Sequence, residues 1–327
     1  MKNILIINFG GIGDEILFLP TIISLKKEYP DSKITLALES RSKAIKDLTN
    51  LIDDMVFVDI KTKNKYFELF KLIFTSWFGK FDMVVSSGAS PFISIVLFLT
   101  GIKQKYGYNT GKLSQKLLTK SVTLNKNQYA CAMYHDLITP LTDYKTLLPK
   151  IDVMSVKKEE NTVLIHPGVS KMSIQKGCIK TVAPDVWAKA IDILRKNGKK
   201  VILTGGKDDE ECISKIKSLI TQDVEDYFGK TKNLKELAEL IAKCEVFLCS
   251  DSCPLHIAVG VGAKTFVIFG PTNYKTLIPQ SENIVPLLAN DKCDLKPCLW
   301  EKRMTSCESL DCLKITGEDI ANRILDR

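Results

Sequence analysis

The sequence predicts an α/β protein of two doubly wound halves, and three observations carry that prediction. Apolar runs of strand length alternate with helix-length stretches along most of the chain, which is the pattern of a parallel sheet wound on both faces. The alternation breaks at the polar run 156–161 (Val-Lys-Lys-Glu-Glu-Asn), which reads as a linker or a surface loop, and then restarts. The 327 residues, 45% hydrophobic and 26% charged, suit two soluble domains that each bury a core. The expected division is 1–155 and 156–327, with a cleft between the halves where ligands sit.

In the first half, strands are expected at 4–8, 33–38, 55–58, 83–87 and 121–124, and helices at 15–29, 42–48, 66–78 and 92–100. In the second, strands are expected at 162–166, 200–204, 226–228, 246–250 and 265–269. Helices are expected there at 184–197, 208–220, 233–244, 254–261 and 318–327. The most apolar run, 91–102, falls short of the roughly 20 residues that span a bilayer and reads as a buried helix. Residues 4–7 are too short for a secretory apolar core. Ten cysteines without such a signal point to a reducing cytoplasm. The net charge of +8 fits an acidic substrate, an anionic membrane or nucleic acid without choosing among them.

Chemistry gathers at strand ends. The first strand runs into Gly10-Gly11-Ile12-Gly13-Asp14 and then a helix. This is not the dinucleotide fingerprint, because G-x-G-x-x-G is absent. Asp14 would repel a phosphate there and is better suited to taking a proton, although a helix-start aspartate is the simpler reading of that position alone. In the second half Asp251-Ser252-Cys253-Pro254-Leu255-His256 opens a helix after a strand. First-turn N–H groups, the Ser252 hydroxyl and His256 could hold an anion such as a pyrophosphate; a plain cap by Asp251 or Ser252 is the alternative. Phe269-Gly270-Pro271-Thr272 and His166-Pro167-Gly168 end strands in the same manner. Lys180, ahead of the next helix, could reach the same crevice as a point charge or be an ordinary solvated lysine.

These residues, in this order, resemble glycosyltransferase family nine, the bacterial heptosyltransferases of the lipopolysaccharide inner core. The matching segments are 10–20 (G-G-I-G-D-E-I-L-F-L-P), 166–168 (H-P-G), 180–187 (K-T-V-A-P-D-V-W) and 251–272. The resemblance implies two Rossmann-like domains facing across a cleft (GT-B type), with the terminal helix crossing back to the first domain. It places the acceptor on the first domain and the nucleotide-sugar, ADP-heptose in this family, on the second. It implies Asp14 as base, Lys180 on the donor diphosphate, Asp251, Ser252, His256 and Thr272 in the donor site, and Glu210 on the donor ribose. Gly11, Gly13, Lys103 and Lys105 complete the expected acceptor site. Cys253 stands where the family has glycine, and Val182-Ala183 where it has Trp-Pro, which bears on donor identity more than on reaction type. The implied reaction is displacement with inversion, without metal or other cofactor, onto a lipopolysaccharide-core or lipid-linked acceptor. Transfer of another sugar to a different glycan and a non-catalytic nucleotide-sugar binder are alternatives; Asp14 together with Lys180 argues against the binder. An oxidoreductase is disfavoured by the missing fingerprint.

Residues 103–126 hold Lys103, Lys105, Lys112, Lys116, Lys120 and Lys126 and no acid. This reads as a solvated basic loop and helix, or as a docking surface at the inner face of the inner membrane. No nucleic-acid motif accompanies it. Near the end, Cys293, Cys298, Cys307 and Cys312 leave structural zinc, disulfides and free thiols open.

Overall fold

Ile4, Leu5, Ile6 and Ile7 are all buried because their strand, β1 (Asn3–Ile7), is central in a parallel sheet, where an unbroken apolar run replaces alternation. The computed structural model describes residues 1–154, 156–175, 177–289, 293–299 and 307–326; the expected boundary residue Ser155 and terminal-helix residue Arg327 lie outside them. The chain divides into two units, Met1–Lys150 and Ile151–Arg327. The polar run 156–161 ends inside a strand that begins at Glu159.

In the first unit β1 is followed by α1 (Ile12–Glu28), β2 (Lys33–Leu38), a 3-10 turn (Ser40–Asp47) and β3 (Asp54–Phe57). Then come α2 (Lys65–Phe78), β4 (Met83–Ser86), α3 (Pro91–Leu99), β5 (Gln104–Tyr108), α4 (Lys112–Leu117), β6 (Lys120–Val122) and α5 (Ala130–His135). The strands lie in the order β3-β2-β1-β4-β5-β6. Leu5 and Ile7 pack on Leu72 of α2 and Leu97 of α3, while α1 packs with α5.

The second unit contains β7 (Glu159–His166), α6 (Lys171–Gln175), α7 (Pro184–Lys196), β8 (Lys200–Leu203), α8 (Glu210–Leu219) and β9 (Glu225–Asp226). It continues with α9 (Leu234–Lys243), β10 (Cys244–Ser250), α10 (Cys253–Val261), β11 (Thr265–Phe269), α11 (Tyr274–Leu277), β12 (Ile284–Leu288) and α12 (Gly317–Leu325). Its sheet runs β12-β11-β10-β7-β8-β9. Counted within each unit, both sheets have the order 3-2-1-4-5-6, the doubly wound arrangement whose direction reverses between the first and fourth strands. Trp187 of α7 is fully buried in the second core with Leu203, Leu248 and Ile320.

Expectations change in detail. The terminal helix α12 packs on α7 within its own unit. Gly317 makes that fit, since a Cβ there would lie 2.5 Å from the Val186 carbonyl. The apolar run 91–102 does form a helix, but one with an exposed outer face at Phe92, Ile95, Phe98 and Leu99. Strand β5 occupies part of the basic segment read as loop and helix. Its polar first half, Gln104-Lys105, hid it, as edge-ward strands need not be apolar throughout.

Candidate active site

In the first unit the sheet's direction reverses between β1 and β4, and the Gly10–Asp14 turn leaves β1 at that point. A Cβ at Gly10 would overlap the Asp14 side chain, so glycine lets the turn fold flat against the aspartate. The Gly11 N–H donates to Asp14 Oδ2 at 2.8 Å. Tyr134, carried on α5 with its ring 5.2 Å from Phe18, donates its hydroxyl to Asp14 Oδ1 at 3.3 Å. Burial, then the charge of Asp14, pushes the Tyr134 hydroxyl well above its ordinary pKa, so it remains a donor. Each carboxylate oxygen still has a lone pair for a substrate hydroxyl.

Beneath Asp14, Glu15 is buried and accepts from Asn8 Nδ2 at 3.0 Å. Burial raises its pKa well above the ordinary carboxyl value. Asn8 Oδ1 in turn accepts from Ser87, just past β4. Beside the turn, buried Glu39 holds two cations, Arg41 at 2.6 Å and Lys61 at 3.2 Å. Lys61 also reaches the Phe9 carbonyl at 3.5 Å. Sequence reasoning missed Tyr134, Glu15, Arg41 and Lys61. Only Glu15, a charge inside an apolar helix start, left a signal.

The second unit gathers its site at the matching reversal between β7 and β10. There His166-Pro167-Gly168 and Ser250-Asp251-Ser252 leave adjacent strands, with Cys249 paired to His166. The single Ser250 hydroxyl proton is shared between the Pro167 carbonyl at 3.0 Å and Thr181 Oγ1 at 2.8 Å. Thr181 donates to that same carbonyl at 2.7 Å and accepts from Trp187 Nε1 at 3.2 Å. This mesh fixes the backbone beside Lys180, whose Nζ lies 3.4 Å from Asp251 Oδ2. Buried Thr272 donates to the same oxygen at 2.8 Å. Ser252 is the N-cap of α10 but makes no side-chain cap bond; its hydroxyl leans to the Ser250 carbonyl at 3.4 Å. His256 is buried on the first turn. An ammonium that is mostly shielded from solvent and a helix start that its N-cap side chain leaves uncapped form an arrangement suited to an anion.

Behind it, Gly205-Gly206-Lys207-Asp208-Asp209 repeats the first unit's turn: the Gly206 N–H donates to Asp209 Oδ2 at 2.8 Å. Here the carboxylate is buried and meets His166 Nε2 at 3.5 Å. Burial holds His166 below its ordinary pKa, with Asp209 opposing.

The structure thus brings together Gly11, Gly13 and Asp14 in one unit, and Lys180, Asp251, Ser252, His256 and Thr272 in the other. Glu210 is exposed at the start of α8. Lys103 and Lys105 do not join Asp14. Gln104 pairs with Met83, which pairs with Ile4, so they flank the N-terminal edge of the sheet, whereas Asp14 lies beyond its C-terminal edge. The rise along β1 alone separates these levels by about 10 Å. The Lys105 ammonium is moreover committed to the Ile102 carbonyl at 2.7 Å. Among the described residues Cys293, Cys298, Cys307 and Cys312 form no disulfide, and no group of three metal-ligating side chains is placed to hold an ion.

Two doubly wound units, one with an accessible carboxylate at its reversal point and the other with an anion site at its own, define a glycosyltransferase of the GT-B fold. The chain belongs to glycosyltransferase family 9, the heptosyltransferase family, whose profile matches residues 78–305. It is 29% identical over 305 residues to lipopolysaccharide heptosyltransferase 3 of Escherichia coli, covering 85% of this chain and 86% of that one. Among solved structures it resembles the family 9 glycosyltransferase from Veillonella parvula, with a TM-score of 0.76, 20% identity, and 99% and 97% of the two chains covered. It also resembles the E. coli ADP-heptose lipopolysaccharide heptosyltransferase II, with a TM-score of 0.74, 18% identity, and 100% and 98% covered.

Proposed function

We propose that this enzyme transfers heptose from ADP-heptose to a lipopolysaccharide-core acceptor with inversion at the anomeric carbon. The relatives' names support the donor and acceptor class. The observation that carries the reading is the Lys180 ammonium, held 3.4 Å from Asp251 beside the start of α10.

In this reading the acceptor hydroxyl lies against Asp14. Its proton passes to the carboxylate as its oxygen attacks the anomeric carbon. The bond from that carbon to the donor's phosphate oxygen breaks, and the nucleoside diphosphate leaves. Lys180, His256, the Ser252 hydroxyl and the first N–H groups of α10 receive the charge that develops on the leaving group. Asp251 and Thr272 act through Lys180, orienting it rather than touching the phosphate, since a bare carboxylate would repel an anion. Glu210 accepts from the ribose hydroxyls. Arg41 and Lys61 give the Asp14 turn a positive flank suited to an acidic acceptor. The enzyme would work at the inner face of the inner membrane, where such an acceptor is presented.

A thermal-shift screen with ADP, GDP, UDP and their sugars tests this. ADP and ADP-heptose should raise the melting temperature by mass action, and NMR of the product should show the inverted anomer. A flat response to every nucleotide would sink the reading.

A further inference from the structure

Helices α2 and α3 turn an apolar face outward. On α2 the inner face is formed by Leu69, Leu72 and Ile73, yet the outer face is just as apolar. Phe67, Phe70, Phe74, Trp77 and Phe78 are each at least half exposed, Phe78 to 70%. The rings are continuous: Phe74 lies 6.4 Å from Phe70 and 4.7 Å from Phe78, centroid to centroid. The exposed face of α3 continues the surface with Phe92, Ile95, Phe98 and Leu99. The Trp77 indole donates to the Leu99 carbonyl at 2.9 Å, which ties the two helices together. At about 200 Å² per side chain and roughly half exposure, this face presents about 1,000 Å². The largest apolar patch on a soluble monomer is ordinarily about 300–600 Å².

The rim is basic. Lys63 and Lys65 precede or open α2, Lys80 follows it, and Lys103 lies past α3, all exposed. Lys112 and Lys116 stand exposed on α4, which packs against α3. Glu68, the acid within α2, is paired with Lys71 at 2.7 Å. Lys61, in the loop leading into α2, reaches the Phe9 carbonyl at 3.5 Å.

We propose that this face docks on an anionic lipid bilayer, the rings entering the headgroup boundary and the lysines meeting lipid phosphates. The helices, 14 and 9 residues long, are too short to span and suit lying in the plane of the interface. The lysines choose between a bilayer and a second copy of the chain. A two-fold contact would set each basic rim near its own copy, whereas an anionic surface complements it. The proposal goes beyond the reaction and stands on this surface alone.

Flotation of the full chain with phosphatidylethanolamine–phosphatidylglycerol vesicles tests it. The wild type should float at low salt, less at high salt, and weakly with phosphatidylcholine alone. The exposed-face variant F67S/F70S and the rim variant K112E/K116E should keep the wild-type melting temperature and bind at least about tenfold less. Absence of flotation with anionic vesicles at low salt overturns the proposal, as does unchanged flotation of both variants. Light scattering that shows a wild-type dimer and an F67S/F70S monomer would also overturn it, placing a second copy on the face. F67S/F70S should still glycosylate a delipidated, soluble acceptor. If the wild type floats but transfers nothing, the proposed reaction fails and the docking surface stands.

Discussion

Replacing Lys180 by alanine should cost stability and donor affinity together, and a double variant should separate the two. At 3.4 Å, opposite charges attract by about 5 kcal/mol at an effective dielectric of ~20. Desolvation offsets much of that, because the two side chains are only 13% and 4% exposed. Removing the lysine alone leaves the buried Asp251 carboxylate with Thr272 as its remaining described donor. That should cost about 2–4 kcal/mol, read as a fall in melting temperature of roughly 5–15 °C for a unit of this size. Adding Asp251→Asn removes the stranded charge while Thr272 can still donate to the amide oxygen, so about half the lost stability should return. Affinity for ADP should not return. Charge-assisted bonds to the diphosphate contribute about 1.5–3 kcal/mol, so calorimetric titration should show binding roughly 10- to 150-fold weaker in both variants. Urea unfolding supplies the stability arm. If K180A bound ADP within about twofold of wild type, Lys180 would not lie on the diphosphate. If the double variant were no more stable than K180A, the two side chains would not be coupled.

Asp14→Asn should keep the fold, because the amide oxygen can still accept from Gly11, and should lower turnover about 10²–10⁴-fold; near wild-type transfer would remove Asp14 as the base. Glu15 titrates with a definite sign. The unfolded chain loses this proton near the ordinary value of 4.5 while the folded chain keeps it. Its contribution to stability therefore falls as pH rises from about 4.5 to the raised folded value. Glu15→Gln should flatten that part of the pH profile, with urea midpoints at pH 5 and pH 8 drawing closer than in wild type. Gly10→Ala places a methyl group into Asp14 and should destabilise the first unit by about 2–4 kcal/mol; an unchanged urea midpoint would show that the turn has room.

Much of the sheet architecture was legible because buried parallel strands are unbroken apolar runs, as in residues 4–7 and 265–269. Strand β12 escaped notice because Pro286 interrupts its pattern, and α5 because six residues give too little periodicity. The glycine turn, H-P-G, Lys180 and the Asp251 segment were legible as local motifs at strand ends. Tyr134 was not, since its meeting with Asp14 depends on how α5 packs against α1, and no local spacing encodes that. Lys103 and Lys105 misled for a related reason. A cluster of lysines in sequence says nothing about which edge of the sheet they occupy, and that edge followed only from strand register.

The Gly-Gly-x-x-Asp turn occurs twice in this chain and is put to two uses. After β8 it locks a carboxylate against His166, in a space kept open because residue 168 is glycine. After β1 the same turn leaves its carboxylate accessible. The two copies do not occupy equivalent strands: one follows the first strand of its sheet, at the reversal point, and the other follows the second. Local wording therefore does not decide whether such an aspartate is locked against a partner or left open; its address in the sheet does. In this chain the letters of the turn alone do not tell the two copies apart; the strand count before each one does.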